Sequence, residues 1–132
     1  MFSKDAEEKA EKRSLYNIFS QMLSSSRRLT TSLFKEVMDK GKIFHSPIFI
    51  LRLVKSHSLS RFSVSVSKKV AKNAVDRNKF RRRAYSAIDS LYQNILPGFH
   101  GVFIAKNSIS KSSFVHMSLD IKNLFVKIGL LK

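Results

Sequence analysis

Residues 61–67 read Arg-Phe-Ser-Val-Ser-Val-Ser, and no other stretch of the chain constrains its local structure so tightly. Phe62, Val64 and Val66 alternate strictly with Ser63, Ser65 and Ser67. Because successive side chains of a strand point to opposite faces, this pattern predicts a β-strand with one apolar face on a core and one face of small hydroxyls. The charge in and beyond this strand is equally distinctive: from Arg61 to Arg83 there are nine basic residues and one acid, Asp76.

The remaining elements are drawn from weaker periodicities. A first helix is expected to start near Thr31 or Ser32, with Phe34, Val37 and Met38 on one face, and to stop at Gly41, a residue suited to the left-handed conformation. Residues 48–54 predict a strand with Phe49, Leu51 and Leu53 on one side and Ile48, Ile50 and Arg52 on the other, Pro47 suiting its start. A second helix runs from Asn73 or Ala74 to Asn94, carrying Phe80, Ala84, Ala87, Ile88, Leu91 and Ile95 at helical spacing and ending before Pro97 and Gly98. Residues 101–105 predict a short buried strand. Ser112 or Ser113 then caps a third helix whose buried stripe is Phe114, Met117, Ile121, Leu124, Phe125 and Ile128, with Gly129 as the stop. The expected fold is α+β: a single domain in which three helices pack on a small mixed sheet, in the order helix, strand, strand, helix, strand, helix.

Domain organisation tracks the charge. The formal charge is +16, from 25 Lys and Arg against nine Asp and Glu, and such an excess calls for a polyanionic partner. Residues 1–26 hold four basic and four acidic groups, so the whole excess resides in residues 27–132. The first segment is read as an N-terminal extension. Leu15, Ile18, Phe19 and Met22 have the spacing of an amphipathic helix before a Ser24, Ser25, Ser26 linker, which fits either a frayed or partly disordered tail or a helix that docks on a partner or a membrane surface. Residues 27–132 are read as the nucleic-acid-binding domain.

Within the basic stretch, Lys68, Lys69 and Lys72 occupy the turn after the serine strand, and Arg77, Asn78, Lys79, Arg81, Arg82 and Arg83 lie on the helix. Arg77, Arg81, Asn78 and Arg82 are expected to share a broad face opposite Ala84 and Ile88 and to reach one phosphate backbone. Arginine suits that task because its planar fork pairs bidentately with phosphate, whereas lysine supplies mobile point charge.

The stretch SVSKKVAKNAVDRNKFRRR, residues 65–83, resembles the signature region of the bacterial ribonuclease P protein family, in which a Ser-Val-Ser-Lys-Lys strand end leads into a helix with an Arg-Asn-Arg motif. Ser65, Val66, Ser67, Lys68, Lys69, Val70, Ala74, Val75, Arg77 and Asn78 carry the match. It extends through Leu33, Phe34, Val37, Lys40, Gly41 and Lys42 upstream and Pro97, Gly98, Ile104, Ala105 and Leu130 downstream. Three positions depart from the family pattern: Lys79 replaces the last arginine of the motif, the turn VAKNAV is one residue longer and lacks its glycine, and Tyr85 stands where many members have another Arg.

The resemblance implies a left-handed βαβ crossover, against the usual right-handed rule. It implies a role as protein subunit of an RNA-based endonuclease, a hydrolase that matures the 5′ end of tRNA. The partners would be the ribonuclease P RNA and precursor tRNA, with no membrane and no obligate protein partner, in the cytoplasm. Catalysis would belong to the RNA subunit with Mg²⁺ bound mainly through that RNA. It also implies a cleft for the 5′ leader, lined here by Phe34, Met38, Ile50, Arg52, Ser65 and Ser67, able to hold a single strand by backbone contacts and stacking.

Other chemistry finds little footing. The chain has no Cys, which excludes thiol catalysis and Cys-ligated zinc, and His45, His57, His100 and His116 stand singly with no metal-ligand spacing. A structural RNA-binding protein of another ribonucleoprotein, such as the ribosome, shares the charge and size but does not need the smooth groove. A non-specific DNA-binding protein is disfavoured because the basic helix starts directly off a strand and no dimerising apolar face is evident.

Overall fold

The computed structural model describes residues 27–132. Its elements are helix α1 (Thr31–Lys40), strands β1 (Lys42–His45), β2 (Phe49–Lys55) and β3 (Arg61–Ser65), helix α2 (Ala74–Leu91), strand β4 (Phe99–Ala105) and helix α3 (Phe114–Lys127). The extension of residues 1–26 lies outside the described residues.

The strands form one sheet in the order β1-β2-β4-β3. β1 and β2 pair antiparallel, as do β2 and β4, whereas β3 lies parallel to β4, so α2 is the crossover of a βαβ unit. Register sorts the side chains into two faces. Leu51, Phe103 and Val64 stand opposite one another on one face, and Arg52, Val102 and Ser63 on the other. The first face carries the core: Phe49, Phe62, Phe103 and Phe125 meet largely edge to face at 5.4–6.2 Å between ring centroids, and Ala84, Ile88, Ile121 and Leu124 from α2 and α3 close over them. Gly101 makes room beneath, since a Cβ there would come within 3.1 Å of both Leu51 and Phe62. α1 lies on the opposite face over β2 and β4, with Val37 fully buried. The α+β class with three helices on a mixed sheet is as expected.

Details differ from the sequence reading. β1 was not anticipated; it adds a fourth strand by folding back on β2. Asp120 of α3 secures the connection, accepting from the Ser46 hydroxyl and from the Ile48 N–H. Thr30, rather than Thr31 or Ser32, caps α1 by accepting from the Leu33 N–H. Gly41 is extended, at φ −69°, not left-handed. A glycine is needed there for space, because a Cβ would lie 2.5 Å from the Val37 carbonyl oxygen. Gly129 does adopt positive φ, 75°, as a helix stop should. β3 ends at Ser65 rather than Ser67, β2 and β4 span Phe49–Lys55 and Phe99–Ala105, and α2 gives way at Tyr92–Asn94 to a 3₁₀ turn.

Two side chains change role. Phe114, expected in the buried stripe of α3, is 43% exposed, because it is the first residue of the helix and overhangs its end. Tyr85 is buried, and its hydroxyl accepts the Val64 N–H at 3.1 Å. It completes the outer edge of β3, so the residue that departs from the family's extra arginine is a core residue here.

Candidate nucleic-acid interface

The basic turn is built on hydrogen bonds that require no special backbone. Val70 and Ala71 both donate to the Ser67 carbonyl at 3.1 Å, and among the described residues no residue other than glycine has positive φ. That explains how the longer turn dispenses with the family glycine. Arg77 reaches back from α2 and donates to the carbonyls of Ala71 and Lys72 at 2.9 and 2.7 Å, tying the turn to the helix. Asp76 in the first turn of α2 complements the positive end of the helix dipole.

These bonds correct the expected geometry of the helix. Arg77 and Arg81 do not lie opposite Ala84 and Ile88: at spacings of four, seven and eleven residues from Arg77, all four share one side, and the two arginines form its half-buried flank. Asn78 and Arg82 occupy the outward face, with Asn78 accepting from Arg81. Lys79 and Arg83 turn the other way, towards α3, where with Arg82, Ser86 and Phe114 they line a shallow cavity of about 370 Å³. Lys68, Lys69, Lys72 and Lys79 are exposed. Among the described residues none of these cations is paired with a carboxylate; the ion pair present is Arg27 with Asp89. The charge is therefore available to a polyanion, but it radiates over two sides of α2 and its turn rather than over one face.

The second surface lies on the α1 face of the sheet. Ile50, Ile104 and Ser65 stand opposite one another across β2, β4 and β3 and are half-buried, whereas the next row, Arg52, Val102 and Ser63, passes under α1, where Val102 is fully buried. Phe34 and Met38, one helical turn apart, are both half-buried on α1 beside Val37. This brings five of the six candidate groove residues to one face. Ser67 stands apart: it is exposed, beyond the end of β3, and its carbonyl anchors the basic turn. Arg52 is not a free cation, since it donates to the Met38 carbonyl at 2.7 Å and so caps α1, while its buried Nε has no partner among the described residues.

No catalytic constellation is present among the described residues, and no group of three or more His, Asp or Glu there could hold a metal ion. His45, His57 and His116 are exposed. His100 is 4% exposed, with its Nε2 3.4 Å from the Ser58 hydroxyl. Burial and, secondarily, the charge of Arg61 hold its pKa below the usual histidine value, against smaller opposing effects of Glu36 and a backbone hydrogen bond at Leu59. Sequence reasoning missed Tyr85 and Phe114 as contributors. Tyr85 had a legible signal, since it comes directly after Ala84 on the flank that faces β3.

The family model for Ribonuclease P matches residues 22–129. This chain belongs to the ribonuclease P protein family. The ribonuclease P protein component of Clostridium kluyveri is 34% identical over 102 residues, covering 75% of this chain and 90% of that protein. That of Clostridioides difficile is 38% identical over 93 residues, covering 69% and 81%. Among solved structures, the ribonuclease P protein of Staphylococcus aureus superposes with a TM-score of 0.72 at 19% identity, covering 80% of this chain and 98% of that one. The Thermotoga maritima protein gives 0.67 at 23% identity, covering 76% and 96%. Sequence thus establishes the family, and the structures establish that a ribonuclease P protein fold persists at low identity.

Proposed function

We propose that this ribonuclease P protein binds the catalytic RNA through Lys68, Lys69, Lys72, Arg77, Asn78, Lys79, Arg81 and Arg82, and the 5′ leader of precursor tRNA through the groove of Phe34, Met38, Ile50, Arg52 and Ser65, with Ser67 at its margin. The observation that carries the reading is the placement of both surfaces on β3. Its serine side sets Ser65 in register with the half-buried Ile104 and Ile50, and its end feeds the basic turn. One RNA-bound arm and one leader-bound arm can then be held at a fixed spacing. The chain supplies phosphate neutralisation and substrate positioning, and the RNA subunit with its Mg²⁺ supplies hydrolysis. Among the described residues no helix is long and apolar enough to cross a membrane, and the reading places the protein in the cytoplasm with its RNA partners.

The test is reconstitution with ribonuclease P RNA and precursor tRNAs of long and short leader. Lys69→Ala with Arg81→Ala weakens subunit assembly, and log K for the wild type falls by roughly 0.7–0.9 per neutralised phosphate against log salt. Phe34→Ala leaves assembly intact and weakens precursor binding by roughly 1–3 kcal/mol for a stacked base, an effect absent when the leader is trimmed to one or two nucleotides. Equal weakening of assembly by both variants, independent of leader length, refutes the two-surface reading.

A further inference from the structure

The side of α2 that faces α3 carries more than charge. Lys79, Arg82 and Arg83 gather there around the cavity of about 370 Å³, and Phe114 of α3 lines it with them. A second cavity, of about 230 Å³, shares Phe114 and runs on between Ala87 and Leu91 of α2 and Val115 and Leu119 of α3. Phe114, Val115 and Leu119 are 43%, 64% and 50% exposed. The Ser118 hydroxyl in the same groove is buried and has no hydrogen-bond partner among the described residues. Exposed apolar side chains clustered in one cleft beside an unsatisfied hydroxyl mark a binding surface, whereas singly scattered ones would not. α3 starts at Phe114, so the positive end of its dipole adds to the three cations.

Charge and ring together narrow the occupant. A phosphate alone would use the cations and leave Phe114 and the groove beyond it idle. A duplex would reach the cations with its backbone, but its bases are paired and stacked inside, away from the ring. An unpaired nucleotide matches both halves. Its phosphate accepts from the two guanidinium forks, and its base brings a flat face to the ring and a polar edge to Ser118. Position favours the catalytic RNA over the leader: the cleft continues the basic helix on the α2 and α3 side of the sheet, whereas the leader groove lies on the α1 side.

We propose that the cleft between α2 and α3 captures one unpaired nucleotide of the ribonuclease P RNA, with its phosphate on Lys79, Arg82 and Arg83 and its base stacked on Phe114. The assignment rests on the reading of α2 as an RNA-binding helix, and it adds to that reading Arg83, Phe114 and the neighbouring face of α3.

The chain has no Trp, so Phe114→Trp places a single fluorophore in the cleft of the full protein. On titration with ribonuclease P RNA its emission should be quenched and shielded from acrylamide, while that of Val126→Trp, at an exposed position further along α3, should change little. Phe114→Ala should weaken RNA binding by roughly 5- to 150-fold, the range for one stacked base, with the salt slope unchanged. Phe114→Leu should bind nearly as weakly, and Phe114→Trp at least as tightly as wild type. Arg82→Ala with Arg83→Ala should instead lower the salt slope by roughly 0.7–0.9, as for one phosphate. Unquenched emission from Phe114→Trp at saturating RNA, equal quenching of Val126→Trp, or wild-type binding by Phe114→Leu overturns the pocket. If Lys69→Ala with Arg81→Ala still weakens assembly in that case, the RNA-binding helix stands and the cleft is left to a protein partner. If it does not, the RNA reading of α2 falls as well.

Discussion

The two faces of the sheet are made by the same residues counted alternately, and they serve opposite ends. On one face Phe62, Val64 and Phe103 are buried against α2 and α3; on the other the small hydroxyl side chains of Ser63 and Ser65 are half-buried. Substitutions on the first face should therefore register as lost stability and those at the half-buried positions Phe34, Ile50 and Ser65 of the second chiefly as lost affinity. The largest expected effect tests the first half of that contrast. Phe103→Ala removes the ring that touches Phe49, Phe62 and Phe125, and should cost about 3–5 kcal/mol in denaturant unfolding. Ser65→Ala should change unfolding by no more than about 0.5 kcal/mol, as for surface positions. A large loss at Ser65 would show that the groove face is structural too.

The contrast between Arg77 and Arg81 sharpens the same division within one helix. Both stand on the flank of α2 beside the core, but Arg77 holds the carbonyls of Ala71 and Lys72, while Arg81, among the described residues, bonds to the exposed side chain of Asn78. Charge-assisted hydrogen bonds of the first kind are worth roughly 1.5–3 kcal/mol when well formed. Arg77→Ala should lower both melting temperature and RNA affinity. Arg81→Ala should lower affinity alone, and a matching drop in its melting temperature would remove the distinction.

Legibility in the sequence depended on the strength of local signals. The period-two alternation of residues 61–67 is unambiguous, because both faces differ in chemistry at every step, and the strand lies where it was expected. β1 carries no such signal: Lys42–His45 is four residues long, mostly exposed, and recognisable only through its pairing with β2. Phe114 was misplaced because its three-residue spacing to Met117 is correct for the buried stripe, yet the helix begins at that residue and leaves the ring past the edge of the core. The basic helix was located correctly but its rotation was not. Charge drew Arg77 and Arg81 to an outer face, whereas their spacing to Ala84 and Ile88 already put them beside the core. The groove residues were gathered by alternation, which holds for Ile50, Arg52 and Ser65 and fails at Ser67, where the strand has ended.

Tyr85 offers a smaller test at the edge between core and interface. Tyr85→Phe keeps the ring in its buried site and removes only the acceptor of the Val64 N–H. Leaving that buried donor unpaired should cost about 1–3 kcal/mol, with RNA affinity unchanged. Tyr85→Arg, which restores the residue common in the family, should be more destabilising than Tyr85→Phe, since it introduces an uncompensated charge at the same site. If it is instead tolerated and strengthens RNA binding, the flank of α2 is more open than its burial indicates.

The smallest effect is expected at His100, where the groove face meets the inner layer. The ring is buried beneath α1, near Arg61 and hydrogen-bonded towards Ser58, and burial more than the Arg61 charge keeps its folded pKa below the ordinary 6.5. The folded state therefore binds fewer protons than the unfolded state as the pH falls through that window. The resulting stability is present above about 6.5 and is lost as pH falls towards the lower folded value, where both states are protonated. Melting temperature should decline between neutral pH and pH 5, and His100→Gln, which retains a polar partner for Ser58, should flatten part of that decline. His57→Gln, at an exposed position, should leave the profile unchanged. If the two variants behave alike, acid sensitivity comes from elsewhere and His100 contributes to packing alone. If His100→Gln flattens the profile while precursor tRNA binding stays constant, the buried layer beneath α1 can be altered without disturbing the groove above it.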